Sequence, residues 1–271
     1  MPELPEVETI VRDLAPALPG AVIEGAEIVR EDLIAGDPSA WRTELPGRRI
    51  DAVGRRAKNI VLTLGELRLV VNLGMTGRLL LAGRGEEEPS HVGARLLLRD
   101  GGALVYRDVR RFGRLELLGA GAWEIRAGEM GVEPLSDDFT VDALTEVLRG
   151  SRVAIKTRLM DQRRVVGIGN IYASEALFRA SIDPRLPAKA LGPARIEALR
   201  KAVREVLREA IEYRGTTLLD YRDASGREGG FRSVLRVYGR AGDPCPCCGA
   251  PIERIIQGGR STFFCPACQT R

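Results

Sequence analysis

A β-rich first part, a helix-rich second part and two closing Cys-x2-Cys pairs predict an α+β multidomain protein. The expected architecture is an N-terminal antiparallel β-sandwich with flanking helices, followed by a C-terminal helical domain and a zinc-finger β-hairpin. With 271 residues, 44% of them hydrophobic, the chain exceeds the usual single-domain size and can fill two cores. Charge divides along the same line: residues 1–150 carry 19 basic and 25 acidic residues, and residues 151–271 carry 22 and 12. The cationic second part predicts a polyanionic partner, with nucleic acid ahead of membrane because no basic helix has a clean lipid-seeking face. No apolar run approaches membrane-spanning length and the chain starts acidic, so a cytoplasmic location is expected.

Val7, Ile10, Val11 and Leu14 follow helical spacing after Pro5, and Pro16, Pro19 and Gly20 end that helix. From about residue 21 to 118 short β-rich runs take over: Val22-Ile23, Ile60 to Leu62, Leu69 to Val71, Leu96 to Leu98 and Leu104 to Tyr106. Glycine- or charge-rich turns separate them, the pattern of an antiparallel sandwich or barrel. A connector at 131–136 leads to a helix over Asp142 to Leu148, stopped by Gly150. Two short helices follow within 154–178, joined by a turn holding Gly167 and Gly169, with Asn170 at the N-cap of the second. Amides at that cap, with Arg152 and Lys156 one turn apart on the first helix, are suited to gripping a phosphate. A long charged helix runs from Pro193 to Tyr213, with Leu199, Val203, Val206, Leu207 and Ile211 on its buried stripe. The polar stretch Leu219 to Gly230 lacks periodicity and is expected to be a mobile loop. The expected domains are 1–131, a 132–138 hinge linker, 139–236 including the loop 219–230, and 237–271.

Cys245-x2-Cys248 and Cys265-x2-Cys268, sixteen residues apart, have the spacing of four thiolates around one tetrahedral structural zinc. Disulfides are disfavoured in a cytosolic chain and leave the doubled spacing unexplained. Cys247 lies inside the first knuckle and is spare. Strands over Ile252 to Ile256 and Ser261 to Phe264 are expected to meet at a glycine turn that carries Arg260 near its tip. Such a zinc contributes on the order of 10 kcal/mol to folding.

The chain begins Met1-Pro2-Glu3-Leu4-Pro5-Glu6. Removal of Met1 would free a secondary amine at Pro2, a nucleophile that forms an iminium ion with an electrophilic carbon. Only four of the 41 basic residues are lysines, Lys58, Lys156, Lys189 and Lys201, which singles out places where a compact or deprotonatable cation is used.

Taken together these segments resemble the bacterial formamidopyrimidine-DNA glycosylases over essentially the whole chain. The carriers are Pro2 to Thr9, Asn72-Leu73-Gly74-Met75-Thr76-Gly77, Asp108-Val109-Arg110-Arg111-Phe112-Gly113, the segment around Gly167 to Tyr172, and the cysteine hairpin. The resemblance implies a helix-two-turn-helix domain behind a β-sandwich, with damaged double-stranded DNA in the cleft between them and a monomeric, membrane-free enzyme. It implies attack by Pro2 on C1′ of a damaged nucleotide, proton transfer by Glu3, release of oxidised purines such as 8-oxoguanine and formamidopyrimidines, and strand scission by β,δ-elimination. Lys58 aligns with a lysine beside the active site, and Arg260 with an arginine assigned to the later elimination and DNA grip. Met75, Arg110 and Phe112 match residues that fill the space left by the extruded nucleotide, His91 matches a DNA-contacting position, and the loop 219–230 is a candidate cap for the flipped base. Asn72, where the family commonly has histidine, Arg232, where glutamine is common, and the segment before His91 depart from the pattern. An endonuclease VIII-like enzyme for oxidised pyrimidines shares the nucleophile, and a non-catalytic zinc-ribbon DNA-binding protein shares the far end. The Glu-Leu-Pro-Glu-Val-Glu-Thr start and the Met75, Arg110 and Phe112 set favour the purine enzyme.

Overall fold

The computed structural model describes residues 2–85 and 89–270. Helix α1 (Leu4–Leu14) starts at N-cap Glu3, carries Pro5 in its first turn and turns Leu4, Val7, Ile10 and Leu14 inward. Strand β1 (Ile23–Ile28), the two-residue β2 (Ile34–Ala35) and helix α2 (Pro38–Glu44), capped by Asp37, lead into the strand-rich region. It comprises β3 (Ala52–Arg56), β4 (Asn59–Leu64), β5 (Leu67–Asn72), β6 (Gly77–Ala82), β7 (Val92–Leu98), β8 (Ala103–Asp108) and β9 (Arg114–Gly119). These strands form a four-stranded sheet, β1-β7-β8-β6, and a five-stranded sheet, β2-β9-β5-β4-β3. Ile60, Leu62, Leu69 and Val71 of one sheet share a core with Leu79, Leu96, Leu104 and Tyr106 of the other, closed by Val7, Ile10 and Leu14 of α1. The sandwich is antiparallel as expected, except that β2 runs parallel to β9.

Helix α3 (Ala120–Gly128) follows β9, and α4 (Val141–Leu148) begins at Thr140, whose hydroxyl accepts the Ala143 amide. Then come α5 (Ile155–Leu159), α6 (Asn170–Arg179) and the long α7 (Pro193–Glu212), against which α4 and α6 pack. The fully buried Glu175 of α6 accepts the backbone amides of Arg236, Val237 and Tyr238 at 3.0, 3.0 and 2.8 Å. Three donors on one carboxylate satisfy a buried charge and pin the segment that leads to the hairpin β10 (Glu253–Gln257) and β11 (Arg260–Phe264).

The chain divides into two compact units, Met1–Gly128 with Tyr213–Gly230, and Glu129–Glu212 with Phe231–Arg271. Two boundaries therefore differ from those expected. The connector belongs to the second unit because the Gly131 and Val132 amides donate to Gln162 and Arg164 carbonyls at 3.0 Å each. Residues 213–230, expected within the helical domain, belong to the first unit, where Glu6 and Asp13 of α1 hold them. Within it, the stretch 219–230, expected to be a mobile loop, is hydrogen-bonded at Asp223, Gly229 and Gly230.

Candidate active site and nucleic-acid interface

Pro2 lies buried immediately ahead of α1, and Glu3, 2% exposed, takes the extended N-cap conformation. The Glu3 amide donates to Glu6 Oε2 at 2.7 Å, while Glu6 Oε1 accepts the Thr216 amide at 2.7 Å. One buried carboxylate thus fixes the chain beside Pro2 and the start of the 216–230 segment together. The removal of Met1 concerns a residue outside those described. Helix α1 packs on β3 and β4, and Arg55 Nε of β3 donates to Glu8 Oε2 at 2.9 Å. Burial alone would raise the Glu8 carboxyl, but hydrogen bonds from Arg12 and Arg55 hold it below its ordinary range. Lys58 occupies the two-residue turn between β3 and β4, half-buried, next to Ala57 at φ +57°. The turn grows from the strand pair that carries α1.

Met75, Arg110 and Phe112 come together on two adjoining loops. The Arg110 guanidinium lies 4.5 Å from the Phe112 ring centroid, and its Nη1 donates to Met75 Sδ at 3.5 Å. Met75 is 39% exposed and Phe112 54% exposed, so neither is a core residue. Their support is Asp108, buried, which accepts the Thr76 hydroxyl at 2.5 Å, the Gly113 amide at 2.8 Å, the Arg110 amide at 3.2 Å and the Tyr106 hydroxyl at 3.2 Å. Tyr106 is held protonated well above the ordinary phenol range, by burial first and by Asp108 second. Glycine is required at 74, where φ is +58° and a Cβ would stand 2.5 Å from the Gly113 nitrogen, and at 113, where it would strike the Tyr106 hydroxyl. Asn72 supports the same loops, its Oδ1 accepting the Gly74 amide and its Nδ2 donating to Asn59, each at 3.0 Å. His91 is exposed at φ +62° on the turn before β7, and its carbonyl accepts the Asp108 amide at 3.1 Å.

In the second unit, two expectations are corrected. Arg152 is exposed and precedes α5, so it is not one helical turn from Lys156. Lys156 is 2% exposed, its ammonium donating to Asn170 Oδ1 at 2.5 Å, Thr262 Oγ1 at 2.7 Å and the Ser261 carbonyl at 3.2 Å. With three protein acceptors around three donors, Lys156 joins α5, α6 and the hairpin rather than standing ready on the surface. The N-cap of α6 is Gly169; Asn170 is the first helical residue, and its Nδ2 donates to the Ser261 carbonyl at 2.9 Å. Arg260 is exposed and pairs with Gln257 across the hairpin tip, where Gly258 and Gly259 take φ of +54° and +73°. An open cavity of about 380 Å³ is lined by Lys156, Arg158, Gln257 and Arg260.

The thiols of Cys245, Cys248, Cys265 and Cys268 all lie within 4.8 Å of one another. Cys245 and Cys268 sulfurs are 3.8 Å apart and those of Cys248 and Cys265 3.5 Å, close to the edge of a tetrahedron with metal–sulfur bonds of about 2.3 Å. The Cys247 and Cys268 amides donate to Cys245 and Cys265 sulfurs at 3.4 Å each, the donors that thiolates need. The donor set fits one closed structural zinc, and Cys247 is exposed outside the cluster.

Residue patterns did not single out Glu6, Thr76 or Asp108 as anchors. The signal for Asp108 is its place before an arginine- and glycine-containing turn, where aspartate commonly accepts amides two residues on.

Comparison with known proteins covers nearly all of these parts. The family model "Formamidopyrimidine-DNA glycosylase N-terminal domain" matches residues 1–115, "Formamidopyrimidine-DNA glycosylase H2TH domain" residues 130–221, and "Zinc finger found in FPG and IleRS" residues 242–271. The chain is 46% identical to the formamidopyrimidine-DNA glycosylase of Chloroflexus aurantiacus, over 99% of this chain and 98% of that one. It is 45% identical to the enzyme of that name from Paracoccus denitrificans, over 99% and 100%. Among solved structures, a Lactococcus lactis Fpg variant bound to Fapy-dG containing DNA superposes with a TM-score of 0.92 at 34% identity, covering 100% of both chains. The Lactococcus lactis protein with an abasic site containing DNA gives 0.92 at 34%, covering 99% and 100%.

Proposed function

The chain belongs to the formamidopyrimidine-DNA glycosylase family, bifunctional glycosylases and AP lyases of base excision repair that act on oxidised purines in duplex DNA, and on that premise we propose that Pro2 is its nucleophile. The observation that carries this is the buried Pro2 ahead of an N-cap residue whose backbone amide is held by the Glu6 carboxylate, which also accepts the Thr216 amide.

With Met1 removed, the Pro2 nitrogen attacks C1′ and the glycosidic bond breaks, its electron pair leaving with the base, which takes up a proton. The nitrogen loses its proton, the C1′–O4′ bond opens and O4′ is protonated, leaving an iminium at C1′. Glu3 is the group proposed to move the proton at O4′. An α-amine, with pKa about 8, is neutral near pH 7 far more often than a lysine at about 10.4, although a secondary amine gives back part of that gain. The iminium acidifies the C2′ proton; its loss expels the 3′ phosphate, and loss of the C4′ proton then expels the 5′ phosphate. Lys58 is proposed for phosphate contact and proton transfer during elimination, and Arg260 for the later elimination and grip on DNA.

Extrusion of the nucleotide costs a few kcal/mol and is easiest for a damaged base. Phe112, exposed and backed by Arg110 and Met75, is suited to wedge into the vacated stack. His91 is assigned to DNA contact on the strength of the resemblance, Arg152 as an exposed cation ahead of α5 and Asn170 as the first residue of α6, whose N-terminal amides are suited to a phosphate, and the enzyme to DNA in the cytoplasm. Zinc, bound by the four cysteines, supplies rigidity to the hairpin that carries Arg260 and takes no part in the bond changes.

Borohydride added during reaction of methionine-processed, zinc-loaded protein with an 8-oxoguanine duplex is expected to trap a covalent complex through Pro2. No trapped complex would refute the mechanism. A parallel thymine glycol duplex checks lesion class, since the Lactococcus lactis protein has also been solved with an oxidized pyrimidine containing DNA; strong preference for thymine glycol would overturn the purine assignment.

A further inference from the structure

Arg214 stands at φ +62°, a left-handed conformation that side chains other than glycine rarely adopt, and Gly215 follows at +82°. An arginine at such a position needs compensation, and its guanidinium supplies it. Its Nη2 donates to both oxygens of Asp13 on α1, at 2.7 and 2.5 Å, its Nε donates to Asp223 Oδ2 at 2.8 Å, and Nη2 reaches Asp223 as well. These carboxylates hold the guanidinium charge above its ordinary range, the Asp13 hydrogen bonds first, against the opposing cost of burial. Asp223 is buried and also accepts the Ser225 and Arg227 amides at 2.9 Å each, folding 223–227 into a tight turn.

The same segment is closed at its neck. The Gly230 amide donates to the Tyr213 carbonyl at 2.8 Å, the Gly229 amide to the Thr217 hydroxyl at 2.9 Å, and the Tyr221 hydroxyl to the Arg214 carbonyl at 3.1 Å. Gly229 has no room for a Cβ, which would stand 2.3 Å from the Gly215 carbonyl. The closed neck is joined to α1 at Glu6, which accepts the Thr216 amide, and at Asp13, which accepts from Arg214 about two turns further along the helix. Between Thr216 and Gly229, Leu219 is 83% exposed.

We propose that Asp13, Arg214 and Asp223 form an electrostatic clasp that positions the 216–230 segment on α1 for recognition of the extruded base. The inference rests on the proposed function, and makes the three positioning residues for base excision. Cleavage at a preformed abasic site has no base to recognise and does not call on the clasp. The two half-reactions therefore separate a positioning role from a purely structural one.

The test compares single-turnover excision of 8-oxoguanine with cleavage of an abasic-site duplex, alongside amide hydrogen exchange across 216–230. Arg214→Gly relieves the left-handed backbone while removing the guanidinium, and Asp13→Asn keeps Arg214 while weakening its anchor. Each is expected to slow excision about tenfold, the scale of one charge-assisted hydrogen bond, and to leave abasic cleavage within about twofold. Arg214→Lys, which keeps the charge but not the fork, should fall between. Exchange in 216–230 should quicken in both main variants. Unchanged excision, an equal loss on both substrates, or unchanged exchange would each overturn the clasp. A wild-type protein inert on both duplexes would overturn the proposed function and the clasp with it.

Discussion

Replacing Asp108 by asparagine tests whether one carboxylate fastens the loops that carry Met75, Arg110 and Phe112. The aspartate accepts four hydrogen bonds, two at each oxygen: Thr76 and Arg110 at Oδ1, Tyr106 and Gly113 at Oδ2. Asparagine keeps one acceptor oxygen and turns an NH2 group toward the other pair. The Tyr106 hydroxyl can rotate to accept, but the Gly113 amide cannot, so a donor faces a donor in a site with no spare volume at Gly113. One stranded amide costs about 1–3 kcal/mol, and loss of the charge weakens the surviving bonds, giving about 3 kcal/mol in total. For a protein of this size that lowers the melting temperature by roughly 6–12 °C. Thermal unfolding by circular dichroism checks the stability, and single-turnover excision of 8-oxoguanine checks the loops, with a decrease of about tenfold expected as the wedge loses its register. A variant that melts within about 1 °C of the parent would refute the fastening role.

Phe112→Ala should leave the melting temperature within about 1 °C, because an exposed ring contributes little to the core, yet slow excision at least tenfold if the ring holds the kinked stack open; an unaltered excision rate would remove the wedge assignment. Chelation of zinc should release one metal per chain, detectable with a colorimetric zinc indicator, and expose Cys245 and Cys265 to thiol reagents while the sandwich core remains folded; simultaneous loss of both units' structure would contradict this. Acid provides a further check through Asp223: burial pushes its carboxyl upward, but bonds from the Arg227 amide, Arg214 and the Ser225 amide prevail and hold it below the ordinary value. Its stabilisation is therefore complete above the unfolded pKa of about 3.9 and disappears as pH falls through the lower folded value. Denaturant titrations should show Asp223→Asn less stable than the parent at pH 7 with the gap narrowing toward pH 3, and a gap independent of pH would count against it.

Local patterns carried much of this architecture. Helical spacing after Pro5, the doubled Cys-x2-Cys and the Gly258-Gly259 turn each specify their element through residues a few positions apart, and the structure has all three. Strands β3 and β6 were not legible, because Arg55, Arg56 and Arg78 interrupt their apolar alternation and only pairing with β4 and β8 makes them strands. Asn170 illustrates a finer limit. Its residue type suits an N-cap, but Lys156 and the Ser261 carbonyl, one of them 91 residues away, recruit its amide, and Gly169 takes the cap. The 219–230 stretch looks mobile for the same reason: its composition is polar, and the Asp13 carboxylate that fastens its neck at Arg214 lies 201 residues before that arginine.

Two residues that break the usual burial preferences show how differently such exceptions are resolved. Lys156 is a buried cation, and the cost of its desolvation is met by three acceptors from α6 and β11, so its charge is consumed in holding the second unit together. Phe112 is an exposed aromatic ring, and nothing in the core needs it; the structure instead holds its loop in place with Asp108, Gly74 and Gly113 and keeps the ring out with Arg110 across its face. A buried charge with every donor satisfied is explained by the fold alone. An exposed ring on a loop stiffened at three points is not, because stiffening costs conformational entropy that an idle surface residue would not require. Of the sites expected from the sequence, the Met75, Arg110 and Phe112 cluster is therefore the one whose exposed and firmly held geometry best supports its proposed role, the wedge.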